Sequence, residues 1–200
     1  MHRVFVSFYH RDDQGYKDSL VDWAEKNKVF IDGSVDTGDI DDDLDDQDIR
    51  EIIRDDYLRD TSVTIVLVGP NTRHRKHVDW EIYSSMYDGK KNKKSGLVVI
   101  LLPSTGNDHC HIPYANEKSA IYPEIKDWTH INTRAEYESR YPEMPERIID
   151  NLMKDGVDIS VVSWDKLTPD NLRLMLDNAY NARTTQQYDL SRPMRRRNGA

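Results

Sequence analysis

The fold class of this 200-residue chain follows from the stretch SVTIVLV at residues 62–68. This run is almost continuously apolar and rich in β-branched residues, which is typical of a strand buried on both faces of a parallel sheet. Four other runs share this character: RVFVSF (3–8), KVFI (28–31), GLVVILL (96–102) and VDISVVS (157–163). The sequence therefore predicts five short, largely buried strands.

Helical patterns lie between these runs. Tyr16, Leu20 and Trp23 recur at helical spacing after the first run. Thr168-Pro169 supplies an N-cap and a proline at the first position of a last helix. Regular alternation of strands and helices predicts an α/β, flavodoxin-like, doubly wound sheet of five parallel strands flanked by helices, with strand order 2-1-3-4-5.

Composition and charge exclude several classes of function. The chain carries 36 acidic and 28 basic side chains, a formal net charge of −8, so we expect it to bind neither nucleic acid nor anionic membranes. No run approaches the ~20 apolar residues that span a bilayer. The chain opens on a strand-like run and has one cysteine, Cys110, so we expect no secretory signal and a cytoplasmic location.

Much of the negative charge is concentrated in one segment. Between Asp36 and Asp48, eight of thirteen residues are aspartates, which is typical of a solvated loop leading into a helix. A calcium-binding loop starting at Asp39 would need a glycine where Leu44 stands and a glutamate where Arg50 stands. We therefore predict no metal site in this segment.

One domain is predicted, covering residues 1–183. Residues 103–142 form a long stretch with prolines and without clear periodicity, and we expect a loop insertion there. From about Thr184 the chain becomes basic, with arginines at 192, 195, 196 and 197. Residues 184–200 are therefore predicted to be a flexible basic tail.

A ligand site is expected where the strand order reverses, between the carboxyl ends of the first and third strands. The first strand ends in SFYHRD (7–12), and the third is followed by GPNTRHRKHVDWE (69–81). Aromatic rings, imidazoles, basic side chains and a helix-borne carboxylate converge there. Such a set suits a nucleotide, since rings can stack on a base and cations can bind phosphates.

These motifs resemble those of a known family. RVFVSF at residues 3–8 resembles the opening strand, apolar-Phe-apolar-Ser-aromatic, of Toll/interleukin-1 receptor (TIR) domains. SVTIVLVGPNT (62–72) followed by RKHVDWEI (75–82) resembles "TSVTxVLxG" and "xRxWVxxEI" in the bacterial TIR-like branch that includes the TIR protein of the Thoeris antiphage system. The resemblance covers about residues 3–102.

The resemblance implies a function and a site. Many bacterial TIR-like proteins use NAD as substrate and cleave its nicotinamide glycosidic bond, and Thoeris-type members make a cyclic ADP-ribose-type signal that activates an effector protein. The family's catalytic glutamate corresponds to Glu81, while His77 stands where the family has a tryptophan. The implied partners are NAD or a related nucleotide, an effector reached through the diffusible signal, and further copies of the chain. No additional cofactor is implied.

The chemistry agrees with a single carboxylate. Departure of nicotinamide develops positive charge on the ribose, which a carboxylate stabilises, and the neutral leaving group needs no general acid. Substrate-binding candidates are Phe8, Tyr9, His10 and His77. Strand alternation places one of Phe8 and Tyr9 in the core and the other towards the pocket. His77 lies four residues before Glu81 and is either its partner or a surface residue, and His10 either lines the pocket or lies in a loop.

Other interpretations remain or fail on specific residues. A non-catalytic TIR-like interaction module, signalling by assembly, stays open as the alternative function. A phosphoacceptor receiver domain would match Asp12-Asp13 but needs an aspartate after the third strand, where Gly69-Pro70 stands. His109-Cys110-His111 is a poor metal site, because adjacent residues rarely ligate one ion tetrahedrally.

Overall fold

The computed structural model describes residues 1–34, 44–89 and 92–199. Within these ranges, five strands form one sheet: β1 (Arg3–Ser7), β2 (Ile31–Asp32), β3 (Val63–Val68), β4 (Gly96–Leu101) and β5 (Ser160–Ser163). All neighbouring strands are parallel, and their order is β2-β1-β3-β4-β5. The predicted flavodoxin-like sheet is confirmed.

Helices cover both faces of the sheet. In the described part of the chain they are α1 (His10–Lys26), α2 (Asp46–Ile52), α3 (Lys76–Met86), α4 (Ala115–Ile121), α5 (Arg134–Arg140), α6 (Glu146–Leu152) and α7 (Pro169–Ala182). Helix α2 continues into a π-helical turn, Ile53–Tyr57. None of the helices in these ranges combines the length and the apolar character needed to cross a membrane.

The alternation of β3 explains why its sequence is almost wholly apolar. Ile65 and Leu67 face a core shared with α1, α4 and α7. Val66 and Val68 face the opposite core, which contains side chains of α3, α5 and α6. All six residues of β3 are buried. Because helices cover both faces, the strand is buried on both sides, and its one polar side chain, Thr64, is hydrogen-bonded to Ser85 at 2.8 Å.

The prediction of a long loop at residues 103–142 is wrong in detail. This segment contains α4 and α5, and His111 forms an antiparallel bridge with Val161 of β5. Helix α5 begins with a capping box in which Thr133 and Glu136 exchange hydrogen bonds. Helices of seven residues span only about two turns, so they leave too little periodicity to be recognised from the sequence.

The prediction of a flexible C-terminal tail also differs from the structure. Over residues 184–199 the chain packs against the domain, and Gln186 and Met194 are buried. Arg192 forms ion pairs with Glu146 and Asp150 of α6. Arg192 looks unpaired in the sequence because its carboxylate partners lie more than forty residues earlier in the chain.

The acidic segment is only partly described. Its residues 36–43 lie outside the described ranges, so the predicted solvated loop stays a prediction. Asp45 occupies the N-cap position of α2, where its carboxylate accepts hydrogen bonds from the backbone N–H groups of Gln47 and Asp48. This aspartate therefore stabilises the start of the helix, as expected from the favourable position of negative charge at helix N-termini.

Gly96, the first residue of β4, lies in close contact with α7. A Cβ atom added at this position would lie 2.1 Å from the carbonyl oxygen of Ala179. We expect Gly96→Ala to lower the free energy of unfolding by about 1–3 kcal/mol, because the backbones of β4 and α7 must move apart. Urea denaturation measures this. Gly15→Ala, in open space on α1, is the control and should stabilise by about 0.5–1 kcal/mol; equal effects of the two substitutions would contradict the close approach.

Candidate functional site

Glu81 lies in the middle of α3 and faces the carboxyl end of β1. Its side chain is buried, with 3% of the residue exposed. The hydroxyl of Ser7, the last residue of β1, donates a hydrogen bond of 2.6 Å to Glu81 Oε2. The helix that follows β3 thus returns across the sheet and brings the carboxylate to the crevice between β1 and β3, the position expected for a ligand site in this fold.

Burial sets the protonation of this group. Removal from water raises the pKa of Glu81 from 4.5 to about 8, and the hydrogen bond from Ser7 opposes part of that increase. The carboxyl is therefore mainly protonated at pH 7. A positive charge that develops beside it would favour the ionised form, so the environment is suited to a cationic ligand or transition state.

The aromatic candidates at the end of β1 separate into core and rim. Phe8 is buried in the core on the α1 side of the sheet, and the ring of His10 stacks on it with a centroid distance of 4.3 Å. Tyr9 is half-buried, and the guanidinium of Arg75 lies over its ring at 4.2 Å. The structure thus assigns Phe8 to packing and leaves Tyr9 at the rim, with His10 exposed beside it.

His77 and Glu81 share a helix but lie at different depths. His77 is exposed on the first turn of α3, and its ring packs edge-on against Trp80 with a centroid distance of 5.0 Å. Trp80 itself is fully buried. The spacing in the sequence suggested His77, on the same helix, as a partner of Glu81. In the structure the Ser7 hydroxyl, at the end of β1, donates the hydrogen bond to the Glu81 carboxylate.

Asp13 is a second buried carboxyl at this edge, and sequence reasoning did not select it. It lies on the first turn of α1 with 2% of the residue exposed. Its oxygens contact Gly69 so closely that a Cβ there would lie 2.5 Å away, and the Thr72 hydroxyl donates to Oδ2 at 3.5 Å. Burial and the neighbouring charge of Asp12 raise the pKa of Asp13 to about 6. The glycine directly after a buried strand was the available signal.

The basic side chains after β3 point in different directions. Arg75 stays at the rim over Tyr9, whereas Arg73 donates to the carbonyl of Pro142 at 3.0 Å and lies near Glu138 and Glu146. Of these two arginines, only Arg75 is placed to meet a ligand at the β1–β3 edge.

The chain can now be compared with known proteins. A family model described as Thoeris protein ThsB, TIR-like domain, matches residues 5–107, just over half of the 200 residues. The chain belongs to this family. The matched region contains Ser7 and Glu81, and it confirms the resemblance inferred from the motifs. No curated protein matches the sequence. The protein is thus a ThsB-type, TIR-like domain of the Thoeris antiphage-defence kind.

The three residues His109-Cys110-His111 of this ThsB-type domain lie in different environments. His109 is exposed, while burial lowers the pKa of His111 to about 4. Burial also raises the pKa of the Cys110 thiol. Across the described ranges, no group of three or more His, Cys, Asp or Glu side chains is arranged to hold a metal ion.

Ser7→Ala tests the electrostatics of the site in this ThsB-type domain. Because the Ser7 hydroxyl stabilises the ionised carboxylate, its removal should raise the pKa of Glu81 further above about 8. The titration of the Glu81 carboxyl carbon in a ¹³C NMR spectrum measures this. Ser163→Ala, at the buried end of β5, is the matched control and should leave that titration unchanged. A Glu81 titration that moves towards lower pH in Ser7→Ala would contradict the assigned hydrogen bond.

Proposed function

We propose that this TIR-like domain cleaves the glycosidic bond between nicotinamide and ribose in NAD. The observation that carries the proposal is the buried carboxyl of Glu81, held by Ser7 at the carboxyl edge of β1 and β3. A carboxyl removed from water lowers the stability of the folded protein, which is typical of groups retained for chemistry.

The bond change requires little from the protein beyond this carboxylate. The bond between the ribose C1′ and the pyridinium nitrogen breaks, and its electron pair stays on nitrogen, so nicotinamide departs neutral. Positive charge then develops at C1′ and the ring oxygen, where the ionised Glu81 stabilises it. Attack by a hydroxyl or ring nitrogen of the same nucleotide gives a cyclic product, and attack by water gives ADP-ribose; each route releases one proton.

The other side chains at this edge serve to bind and orient the substrate. Tyr9 offers a partly exposed aromatic face, and Arg75 offers a cation for the diphosphate. Asp13 is placed at the same strand ends and can accept hydrogen bonds from ribose hydroxyls when ionised. In a Thoeris-type system, we propose that the product is a cyclic ADP-ribose-type signal that activates a separate effector protein.

The decisive experiment incubates the purified chain with NAD and follows nicotinamide release by chromatography. Wild-type protein should release nicotinamide, and Glu81→Gln should be slower by about 100-fold or more. Equal turnover by the two proteins would contradict the catalytic assignment. If wild-type protein neither releases nicotinamide in vitro nor depletes NAD in infected cells, the proposal fails; self-association of such an inactive protein would support the interaction module.

The proposed mechanism predicts the pH dependence of NAD cleavage. The reactive form of Glu81 is the carboxylate, and its pKa is raised to about 8 in the folded protein. We expect kcat/KM, which reports the free enzyme, to rise by about tenfold between pH 7 and pH 9 and then level off. A profile measured in constant-ionic-strength buffers tests this. A rate that is flat from pH 6 to pH 9 would mean that ionisation of Glu81 does not limit the reaction.

A further inference from the structure

The end of the C-terminal segment, residues 192–199, holds the first turn of the helix that carries Glu81. Arg75, in the N-cap position of α3, does not cap the helix with its own side chain. The backbone N–H of Lys76 instead donates to Asn198 Oδ1 at 3.0 Å, across 122 positions of sequence. Because the first N–H groups of a helix lack partners inside it, Asn198 stabilises the start of α3 from outside.

The two residues that precede Glu81 bind the same segment. Asp79 accepts a hydrogen bond from the backbone N–H of Arg195 at 2.8 Å, and the indole N–H of Trp80 donates to the carbonyl of Arg195 at 2.7 Å. Met194 is buried in the same apolar cluster as Trp80. The side chains at positions 79 and 80 are therefore fixed by residues 192–199, and Glu81 follows directly on the same helix.

Arg147 joins this contact to the rest of the domain. Its fully buried guanidinium donates to both carboxylate oxygens of Asp79, at 2.8 and 3.0 Å. The same group donates to the backbone carbonyls of Arg192 and Pro193, at 2.9 and 3.1 Å. A buried charged network whose members are paired in this way has one favourable arrangement, so it holds α3, α6 and the segment in a defined register.

We propose that residues 192–199 are a positioning element for Glu81, which hold α3 so that the carboxyl lies against Ser7 and out of contact with water. The segment lies outside the residues that match the family, 5–107. The proposal rests on the proposed role of Glu81 in NAD cleavage, but the placement of the carboxyl can be measured without substrate. A partner that lifted this segment would reduce turnover without touching the substrate.

Two variants test the positioning role. Truncation after Ser191 removes residues 192–200 and keeps the preceding anchor, in which the Tyr188 hydroxyl donates to the Ser95 carbonyl at 3.0 Å. Asn198→Ala removes only the cap of α3, and Asn198→Asp, which keeps an acceptor at that position, is its matched control. The measurements are kcat and KM for NAD, and the ¹³C NMR titration of the Glu81 carboxyl. Hydrogen exchange of the β-sheet amides verifies that each variant is folded.

At pH 9, where Glu81 is mainly ionised in both proteins, the truncated protein should show a lower kcat by about tenfold or more, with KM changed by less than about threefold, since a displaced catalytic group affects the reaction more than binding. The pKa of Glu81 in the truncated protein should be lower than in the wild type by about one pH unit or more, because water reaches the carboxyl. Asn198→Ala should show smaller changes in the same direction, and Asn198→Asp should behave as wild type. If the segment only stabilised the fold, its removal would not lower the pKa of Glu81.

The outcomes separate this proposal from the proposed function. If the pKa of Glu81 is unchanged in the folded truncated protein, the positioning role is overturned. If the truncated protein does not fold, Asn198→Ala decides by the same measurement. A wild-type chain that releases no nicotinamide, but whose Glu81 titration falls on truncation, would contradict NAD cleavage and still support the positioning role.

Discussion

Glu81→Gln should make the protein more stable at pH 7, by about 3 kcal/mol, while it removes the proposed activity. The pKa of this carboxyl is about 8 in the folded protein, whereas the ordinary pKa of a glutamate side chain, which applies to the unfolded chain, is 4.5. At a pH between these two pKa values, the folded protein keeps the proton on Glu81 and the unfolded chain releases it. The free energy of unfolding therefore falls as pH rises, by about 1.4 kcal/mol for each pH unit.

Glu81→Gln is expected to increase stability, whereas most substitutions of buried residues decrease it. Glutamine at position 81 carries no ionisable proton, and its amide oxygen can still accept the hydrogen bond from Ser7. The wild-type protein and the variant should differ by less than about 1 kcal/mol near pH 5, and the difference should widen up to about pH 8. Most substitutions of buried residues destabilise proteins, so a gain that grows with pH identifies burial of the carboxyl as its cause.

Urea denaturation at pH 5, 7 and 8 measures the difference between the two proteins. Glu25→Gln, at an exposed position of α1, is the matched control and should leave the pH dependence of stability as it is in the wild type. A Glu81→Gln protein that is less stable than wild type at pH 8 would show that the carboxyl is held for structural reasons. Such a result would also weaken the proposal of catalysis.

Arg147→Met should lower the free energy of unfolding by about 3–5 kcal/mol, the largest loss expected from the substitutions considered. The guanidinium is completely buried and pairs with both oxygens of Asp79. Its removal leaves the buried Asp79 carboxylate with the single backbone donor of Arg195, and an uncompensated buried charge is highly unfavourable. Two carbonyls of the C-terminal segment lose their donors as well.

The control for this prediction is an ion pair at the surface. Arg59 and Asp60 pair at 3.7 Å with both side chains more than half exposed, so Arg59→Met should cost less than about 1 kcal/mol. Adding Asp79→Asn to Arg147→Met should recover part of the loss, because the unpaired charge disappears. A loss below about 1 kcal/mol in the Arg147→Met protein would contradict the buried pair.

The sheet could be predicted because burial on both faces constrains every position of a strand. Residues 62–68 and 96–102 are almost wholly apolar for this reason, and the structure has six-residue strands within both. The prediction for the shortest strand, residues 28–31, was less accurate. In the structure β2 has two residues, Ile31–Asp32, and Val29 and Phe30 enter the core before it begins. A strand at the edge of the sheet has a pairing partner on one side only, so its sequence is less constrained.

The site could be predicted in part. The motif around Glu81 identified the family, and the family match confirms that assignment. The motif did not indicate that Ser7 would hold the carboxyl or that Asp13 would be buried beside Gly69. Both depend on how α1 and α3 cross the ends of β1 and β3, and contacts between segments more than fifty residues apart leave no local periodicity in a single sequence.

The C-terminal segment shows the same limit most clearly. Its arginines form an exposed basic run when only neighbours in sequence are considered. In the structure, Arg192 pairs with carboxylates of α6, Met194 is buried, and Asn198 caps α3. The partners of a charged or capping side chain are set by distances in space, whereas apolar periodicity is set by the geometry of each element.

The amino-acid sequence by itself determined that this protein is a parallel α/β domain of the TIR-like type with Glu81 on the helix that follows its third strand. Apolar runs and a local motif suffice for that, because both are properties of contiguous residues. The tertiary structure alone decided that Glu81 is buried against Ser7, that Asp13 shares its edge, and that residues 192–199 hold its helix. These features depend on burial and on pairing between distant segments, which exist only once the chain is folded.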